Sequence, residues 1–185
     1  MRPLVVTMAY GPAYEAILPR FVDAARAAGF DQVNYTLDRS NPPATPLDCW
    51  KQKPRLIRAA LQKGLPVLWA DVDFVFRRPP TFGFAAEADA ALYESRRGVF
   101  EDGVMLWNPT APAIAALARW EQRCQGSADW TNTHLAPSIR EASATVVGLP
   151  VTYHWVERWH MSERFGRRDP VIEEVPLCGQ LVRSS

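Results

Sequence analysis

The stretch LPVLWADVDFVF (Leu65–Phe76) decides how the chain folds and where a site would form. Its apolar first half predicts a buried strand, and Asp71 and Asp73 come near the end of that strand. Two like charges two residues apart on one strand face would lie ~6.6 Å apart. Their repulsion at an effective dielectric of 20 would cost roughly 2.5 kcal/mol. Solvent exposure, a pair of turn caps or a bound cation would each relieve that cost.

Strand and helix patterns alternate around this stretch. Pro3–Tyr10 has the pattern of a parallel-sheet strand, and the apolar spacing that follows predicts a helix ending at Gly29. A second helix is predicted from Cys49 to Gly64, immediately before the strand that carries the aspartates. We therefore predict an α/β fold, a three-layer sandwich with a mainly parallel sheet, as one domain over residues 1–185.

Composition limits the classes of function. The chain has 185 residues, 48% of them hydrophobic, and a net charge of +1, so its composition is neither that of a strongly basic nucleic-acid-binding protein nor that of an acidic tail protein. Its three cysteines are widely spaced, which predicts a reducing compartment. No apolar run reaches the ~18 residues of a membrane span, so we expect a soluble, cytoplasmic protein.

Positive charge is concentrated in three arginine pairs. These pairs are Arg77–Arg78, Arg96–Arg97 and Arg167–Arg168. A solvated surface is the simplest interpretation of any single pair. Three pairs together leave room for an anionic partner.

The carboxyl edge of the predicted sheet is the expected place for a ligand, and Asp71 and Asp73 fall there. Mg²⁺ or Mn²⁺ commonly binds one or two carboxylates together with water and substrate phosphates. The sequence contains no P-loop, no Gly-x-Gly-x-x-Gly after the first strand and no Gly-x-Ser-x-Gly elbow. Together these patterns favour a nucleotide diphosphate held through a metal ion.

A longer set of residues extends the aspartate pair. It comprises Lys53-Pro54, Trp69, Asp71, Asp73, Phe76, Pro79 and the following strand EDGVMLWNPT (Glu101–Thr110). This set resembles the nucleotide-diphospho-sugar transferases of the glycosyltransferase-A fold. The resemblance implies a glycosyltransferase-A-like structure with a Rossmann-like nucleotide-binding half. It also implies a hexosyl- or pentosyltransferase that uses a nucleotide-sugar donor, most readily a UDP-sugar, with Mn²⁺ or Mg²⁺.

The resemblance implies roles for individual residues. Asp73 would ligate the metal directly, whereas Asp71 would contact the ribose or bind the metal through water. Glu174 stands where many members of the family have a metal-binding His, so it is a further candidate ligand. Lys53 would add positive charge at the phosphates. The base and ribose pocket would be lined by Thr7, Ala9 and Tyr10.

A transfer that inverts the sugar needs a base for the proton of the acceptor hydroxyl. Asp102 and Asp129 are the candidates, and their alternative roles are a turn residue before Gly103 and a helix N-cap, respectively. A transfer that retains the configuration needs neither residue as a base. The sequence leaves the stereochemical outcome open.

The acceptor is also left open by the sequence. One version of the function takes a protein, a glycan or a small molecule as the acceptor. Another takes a hydroxymethylated base in DNA, with the arginine pairs on the phosphates. The alternative to transfer is a nucleotide-sugar binding protein without transfer activity.

Overall fold

The computed structural model describes residues 2–36, 43, 45–154 and 170–175 of the chain. Within these residues the backbone forms eight strands, which are β1 (Leu4–Met8), β2 (Val33–Thr36), β3 (Val67–Ala70), β4 (Phe74–Phe76), β5 (Ala90–Arg96), β6 (Val99–Trp107), β7 (Val146–Gly148) and β8 (Ile172–Glu174). The α-helices of the same residues are α1 (Pro12–Ala27), α2 (Pro46–Trp50), α3 (Lys53–Leu61), α4 (Ala111–Cys124) and α5 (Thr131–Glu141).

Six of the described strands form one sheet in the order β2-β1-β3-β6-β5-β7. Five of them run in one direction, and β6 alone among them runs in the other, because a tight hairpin connects it to β5. The mainly parallel sheet predicted from the sequence is therefore confirmed. The reversed strand matters for the site, since it brings the beginning of β6 to the carboxyl edge of β1 and β3.

The strands of this sheet are buried on both faces, as expected for an α/β sandwich. On β3, Val67 and Trp69 pack with the apolar faces of α3, α4 and α5. Leu68 and Ala70, which alternate with them, pack on the other face with α1 and with the small antiparallel sheet of β4 and β8. The predicted three-layer arrangement is confirmed.

The stretch Leu65–Phe76 does not form one continuous strand. β3 ends at Ala70, and Asp71–Asp73 form a turn in which the Phe74 N–H donates to the Asp71 carbonyl at 2.9 Å. The chain then leaves the main sheet and continues as β4. It does so because Phe76 packs against α1, with its ring 5.7 Å from that of Phe21. The two aspartates therefore lie in a turn at the sheet edge, and the spacing of one strand face does not apply to them.

Buried Asp89 ties the start of α4 to the strand β7. Its carboxylate accepts hydrogen bonds from the Thr110 hydroxyl and, at 2.7 and 2.8 Å, from the N–H and hydroxyl of Thr145. Burial by itself would raise the pKa of Asp89, but the hydrogen bonds from Thr110 and Thr145 outweigh it and the pKa is lowered. The ionised form of Asp89 is therefore the stabilising one.

We expect Asp89→Asn to lower the free energy of unfolding by about 1–3 kcal/mol at pH 7, because charge-assisted hydrogen bonds are lost. A lowered pKa stabilises the fold above the unfolded value of about 3.9, and this contribution disappears as the pH falls through the folded value. The difference in free energy of unfolding between Asp89→Asn and the unchanged protein should therefore shrink on acidification. Urea titrations at pH 7 and below pH 4 would measure it. Asp23→Asn, at an exposed position of α1, is the control, and an equal effect of both variants would contradict the prediction.

The cysteines of the described residues are not paired in disulfides. Cys49 and Cys124 are buried and free, and burial raises the pKa of each thiol to about 11, so neither is a reactive thiolate at neutral pH. Cys178 lies outside the described residues. Among the helices of the described ranges, none combines the length and the hydropathy needed to cross a membrane.

Candidate active site

Asp71 is held in one orientation by three neighbours. Its Oδ2 accepts a hydrogen bond from Lys53 Nζ at 2.9 Å, and its Oδ1 accepts one from Trp69 Nε1 at 2.8 Å. Trp69 lies two residues earlier, where a strand places side chains on the same face. The Asp71 N–H donates to the Gly103 carbonyl at 2.8 Å, which joins the turn to β6.

Lys53 is the buried cation of the site, with only 3% of its surface exposed. It is the first residue of α3, and its ammonium lies 2.9 Å from Asp71 Oδ2 and 3.4 Å from Asp102 Oδ1. The ammonium is also 5.9 Å from the centre of the Trp69 ring, within the range of a cation–π contact. Burial lowers the pKa of Lys53, but the charges of Asp102 and Asp71 outweigh it and raise the pKa above its ordinary value. Lys53 is therefore charged at neutral pH.

Asp102 comes to the site on the reversed strand β6. The Thr131 hydroxyl, at the first turn of α5, donates to Asp102 Oδ2. Thr131 is itself fixed, because its carbonyl accepts a hydrogen bond from Trp120 Nε1 at 2.8 Å. The carboxylate that we proposed as a base is thus held between Lys53 and α5. To accept a proton from an acceptor hydroxyl, it would use lone pairs that these two contacts leave available.

Negative charge is crowded at this edge of the sheet. Burial raises the pKa of Asp71, Lys53 lowers it, and the charges of Asp73 and Asp102 raise it, which leaves the pKa at about 7. Two carboxylates, those of Asp71 and Asp102, contact one ammonium, and the charge of Asp73 acts on Asp71 from the same turn. An added cation would therefore be stabilised here by the surrounding charge.

The backbones around Asp73 and Glu174 lie side by side at the small sheet. Asp73 is half-buried in the turn, and its carbonyl accepts a hydrogen bond from the Val175 N–H at 2.7 Å. Glu174 pairs with Phe74, the next residue after Asp73. No group of three or more His, Cys, Asp or Glu side chains in the described ranges is arranged to hold a metal ion. A metal bound here would need further oxygen ligands from substrate and water, and the metal-binding roles of Asp71, Asp73 and Glu174 stay predictions.

Thr7, near the end of β1, and Ala9 and Tyr10, just after it, lie at the same edge of the sheet. Thr7 and Ala9 are fully buried, whereas Tyr10 is half-buried and reaches the surface. Among the three residues predicted to line a base and ribose pocket, Tyr10 is thus the one whose side chain can contact a ligand in this conformation. The binding roles of all three stay predictions.

Asp129 is exposed and precedes α5 without capping it. The N-cap residue of that helix is Trp130, which makes no side-chain capping hydrogen bond. The Asp129 N–H donates instead to Ser127 Oγ at 3.0 Å. Asp129 lies two residues from Thr131 and so belongs to the rim of the site, while its role as a base stays a prediction.

Several side chains that build the site were not among the residues predicted from the sequence. Thr131 and Trp120 hold Asp102, and Trp69 appeared in the sequence as part of a pattern without a contact assigned to it. Thr131 had no signal in the sequence, because its hydroxyl meets Asp102 across 29 residues of chain. Trp69 had a signal, since an indole two residues before an aspartate on a strand can reach its carboxylate.

Gly103 leaves no room for a side chain beside the turn. A Cβ at this position would lie 2.9 Å from His154 Nε2 and 3.0 Å from Phe74 Cε2. Both rings are buried, and His154 stacks on Tyr93 with 5.2 Å between ring centres. We expect Gly103→Ala to lower the free energy of unfolding by about 1–3 kcal/mol, measured by urea denaturation. Gly83→Ala is the control because a Cβ there meets nothing within 4 Å, and similar losses for both variants would contradict the expectation.

A cavity of about 570 Å³ lies at the opposite edge of the sheet. Its lining includes Arg2, Pro3, Pro66, Pro80, Phe82 and Ala85. This lining contains no carboxylate and none of the catalytic, binding or metal-ligating residues proposed from the sequence. We therefore place the chemistry at the Asp71–Asp73 turn and not in this cavity.

Three solved structures that resemble this fold are glycosyltransferases. The chain matches a glycosyltransferase involved in the glycosylation of the major capsid of PBCV-1 over 96% of both chains, with a TM-score of 0.68 and 11% sequence identity. It matches the glycosyltransferase GlyE of Streptococcus pneumoniae TIGR4 over 94% of its length, with a TM-score of 0.57 and 11% identity. The bifunctional glycosyltransferase WbbM matches over 93%, with a TM-score of 0.59 and 10% identity. This chain spans 55% of the GlyE chain and 45% of the WbbM chain.

These likenesses define the fold as glycosyltransferase-A-like, which confirms the predicted fold class. The sequence itself gives the family: the profile of the nucleotide-diphospho-sugar transferases matches residues 43–155. The match covers more than half of the chain, so the chain belongs to the nucleotide-diphospho-sugar transferase family, and the prediction of a glycosyltransferase is confirmed at that level. Comparison with curated protein sequences gave no match.

Proposed function

We propose that this protein transfers a hexosyl or pentosyl group from a nucleoside diphosphate donor, most readily a UDP-sugar, to a hydroxyl acceptor with the help of Mn²⁺ or Mg²⁺. One observation carries the proposal. The carboxylates of Asp71 and Asp102 lie 2.9 and 3.4 Å from the buried ammonium of Lys53, next to Asp73, at the carboxyl edge of the sheet where α/β proteins bind ligands.

The side chains at the turn fit a hard cation that is shared with a diphosphate. Both oxygens of Asp71 already accept hydrogen bonds, from Lys53 and Trp69, so Asp73 is the better direct ligand. Mg²⁺ and Mn²⁺ sites of this type use one or two carboxylates and fill the remaining positions with water and phosphate oxygens. Glu174, next to the turn on β8, would supply a second carboxylate. The metal would neutralise charge on the leaving diphosphate.

The transfer can be written in terms of bonds. The acceptor oxygen forms a bond to C1 of the sugar, and the bond between C1 and the diphosphate oxygen breaks. The nucleoside diphosphate leaves with the electron pair, and the acceptor hydroxyl loses its proton to a base. Lys53 lies where its charge would favour the negative leaving group, and its burial strengthens that effect because the local dielectric is low.

The structure supports different roles for the two proposed bases. Asp102 is fixed by Lys53 and Thr131, which suits a carboxylate that must keep one orientation. Asp129 is exposed at the rim, where it would meet an acceptor arriving from solvent. We propose Asp102 as the base of an inverting reaction, with Asp129 as a contact to the acceptor. A retaining reaction would leave both residues with binding roles only.

The donor nucleoside would lie beside the end of β1. Tyr10 is half-buried, and the part of its ring that reaches the surface would stack on a base, with Thr7 and Ala9 shaping the chain beside it. We also place the protein in the cytoplasm, where thiols such as those of Cys49 and Cys124 stay reduced.

A hydroxymethylated base in DNA is the second acceptor to be tested. Of the arginine pairs that suggest it, Arg77 forms an ion pair with Glu173 at 2.6 Å, and Arg96–Arg97 lie exposed at the hairpin between β5 and β6. Arg167–Arg168 lies outside the described residues. Binding of DNA through arginines would weaken steeply with salt. For single strands, the logarithm of the binding constant falls with the logarithm of the salt concentration, with a slope of about −0.7 per contacted phosphate. No binding at low salt would exclude this acceptor.

The experiment that tests the proposal is a thermal-shift panel followed by a turnover assay. UDP with Mn²⁺ should raise the midpoint of unfolding, because a ligand at ~100 times its dissociation constant adds about 2.7 kcal/mol of stability. EDTA should remove most of that shift.

UDP-sugars and GDP-sugars would then be incubated with the protein and Mn²⁺, and one donor should be hydrolysed slowly to its nucleoside diphosphate. The proposal would be contradicted if no donor gave a thermal shift and no donor was hydrolysed. A shift without turnover in any acceptor screen would instead identify a nucleotide-sugar binding protein.

A further inference from the structure

Two tryptophan rings stack on each other at the protein surface. Trp50 is the last residue of α2 and Trp130 immediately precedes α5, and their ring centres are 4.8 Å apart at an angle of 26°. Trp130 is 62% exposed, the largest exposed fraction among the large hydrophobic side chains of the described residues. Stacking fixes the exposed indole in one orientation, so it offers a flat apolar face on which a ligand would stack.

Each tryptophan of the stacked pair lies close in the chain to a residue that builds the site. Trp50 comes three residues before Lys53, whose ammonium contacts Asp71 and Asp102. Trp130 comes one residue before Thr131, whose hydroxyl donates to Asp102. A ligand on the exposed indole would therefore sit close to the carboxylate that we propose as the base.

The charges beside the pair select against an anionic ligand. Asp129 is exposed next to Trp130, and the side chain of Asp48, two residues before Trp50, is 42% exposed. The neighbouring cation Lys51 already forms an ion pair with Asp48 at 3.4 Å. Because Lys51 and Asp48 balance each other, the charge of Asp129 is the one among the described residues beside the pair that would repel a phosphate group, whereas a hydroxyl group would donate to it.

We propose that Trp50 and Trp130 form the acceptor subsite of this enzyme and that the acceptor is a neutral sugar ring. One face of a pyranose presents polarised C–H groups, which are attracted to the negative face of an indole, and its rim presents hydroxyls, which donate to carboxylates such as Asp129. A platform of this kind takes a glycoside in preference to the phosphates of DNA. This assignment rests on the transferase function proposed above.

The test is a titration of the full chain with neutral saccharides, without donor, by saturation-transfer difference NMR. The probes are methyl glucoside, methyl galactoside, cellobiose, lactose and maltose. At least one should bind in a saturable manner, and Trp130→Ala should weaken that binding by about tenfold or more, since one stacking contact is lost. Trp50→Ala should weaken it as well. The affinity for UDP with Mn²⁺ should change less than about twofold in Trp130→Ala, since the nucleoside lies elsewhere.

Phe84→Ala is the matched control, because Phe84 is also an exposed aromatic residue, at 44%, but precedes Ala85, which lines the cavity at the opposite edge. It should leave saccharide binding unchanged. The acceptor assignment would be overturned if no saccharide bound, or if Trp130→Ala and Phe84→Ala behaved alike. It would also be overturned if Trp130→Ala weakened UDP and saccharide equally, or if a short oligothymidylate bound through Trp130 and saccharides did not.

The titration separates this assignment from the function on which it rests. A protein that bound saccharide through Trp130 but turned over no donor would contradict the transferase function and leave the saccharide site in place. A protein that turned over a donor but bound no saccharide would contradict the acceptor site and leave the transferase function in place.

Discussion

Lys53→Met is expected to unfold at a markedly lower urea concentration than the unchanged protein, with a loss of about 3 kcal/mol in the free energy of unfolding. Methionine is close to lysine in length, so the variant removes a charge and creates little cavity. The carboxylates of Asp71 and Asp102 would then face each other without the ammonium between them, and their side chains are only 29% and 16% exposed. Solvent cannot replace a buried partner at such positions, which is why the expected loss is large.

Two further variants separate this charge effect from lost packing. Lys51→Met removes a surface ion pair with Asp48 at 3.4 Å and should cost less than about 1 kcal/mol. Adding Asp102→Asn to Lys53→Met removes one of the uncompensated charges, so the double variant should be more stable than the sum of the two single losses predicts. An additive double variant, or a loss no larger than that of Lys51→Met, would mean that Lys53 holds no charge network together.

The fold could be predicted from the sequence because it depends on local patterns. The apolar strand before Asp71 and the helix of residues 53–61 are both encoded by neighbouring residues, and their alternation specifies a parallel α/β sheet. The break at Ala70 could not be predicted, because it depends on where Phe74 and Phe76 find a buried surface. That surface comes from α1 and β8, which lie far away in the chain.

The candidate site was predictable in part for the same reason. Asp71 and Asp73 are adjacent in sequence to the strand that presents them, so the pattern was enough to place them at the sheet edge. The contact between Asp102 and Thr131 and the stacking of Trp50 on Trp130 join segments that are separated by 29 and 80 residues. No local pattern encodes such contacts, since they follow from the way that α5 packs against α4 and β6.

Asp73→Asn is expected to lower the rate of donor turnover by at least about a hundredfold in the presence of Mn²⁺. Asparagine keeps the size and one oxygen of aspartate but lacks its negative charge, so it would bind a divalent cation poorly. The stabilisation of the protein by UDP and Mn²⁺ together should fall to the level seen with EDTA. Release of nucleoside diphosphate would measure the turnover. The midpoint of thermal unfolding would measure the stabilisation by UDP and Mn²⁺.

The same variant should keep or gain stability in the absence of ligand, and this sign distinguishes a functional carboxylate from a structural one. The charge of Asp73 acts unfavourably on the half-buried carboxyl of Asp71, so removing it relieves a repulsion. Residues kept for function commonly cost the fold stability in this way. Glu87→Gln, at an exposed position away from the turn, is the control and should change neither turnover nor stability. A destabilised Asp73→Asn protein with turnover intact would assign this carboxylate to the fold instead of the reaction.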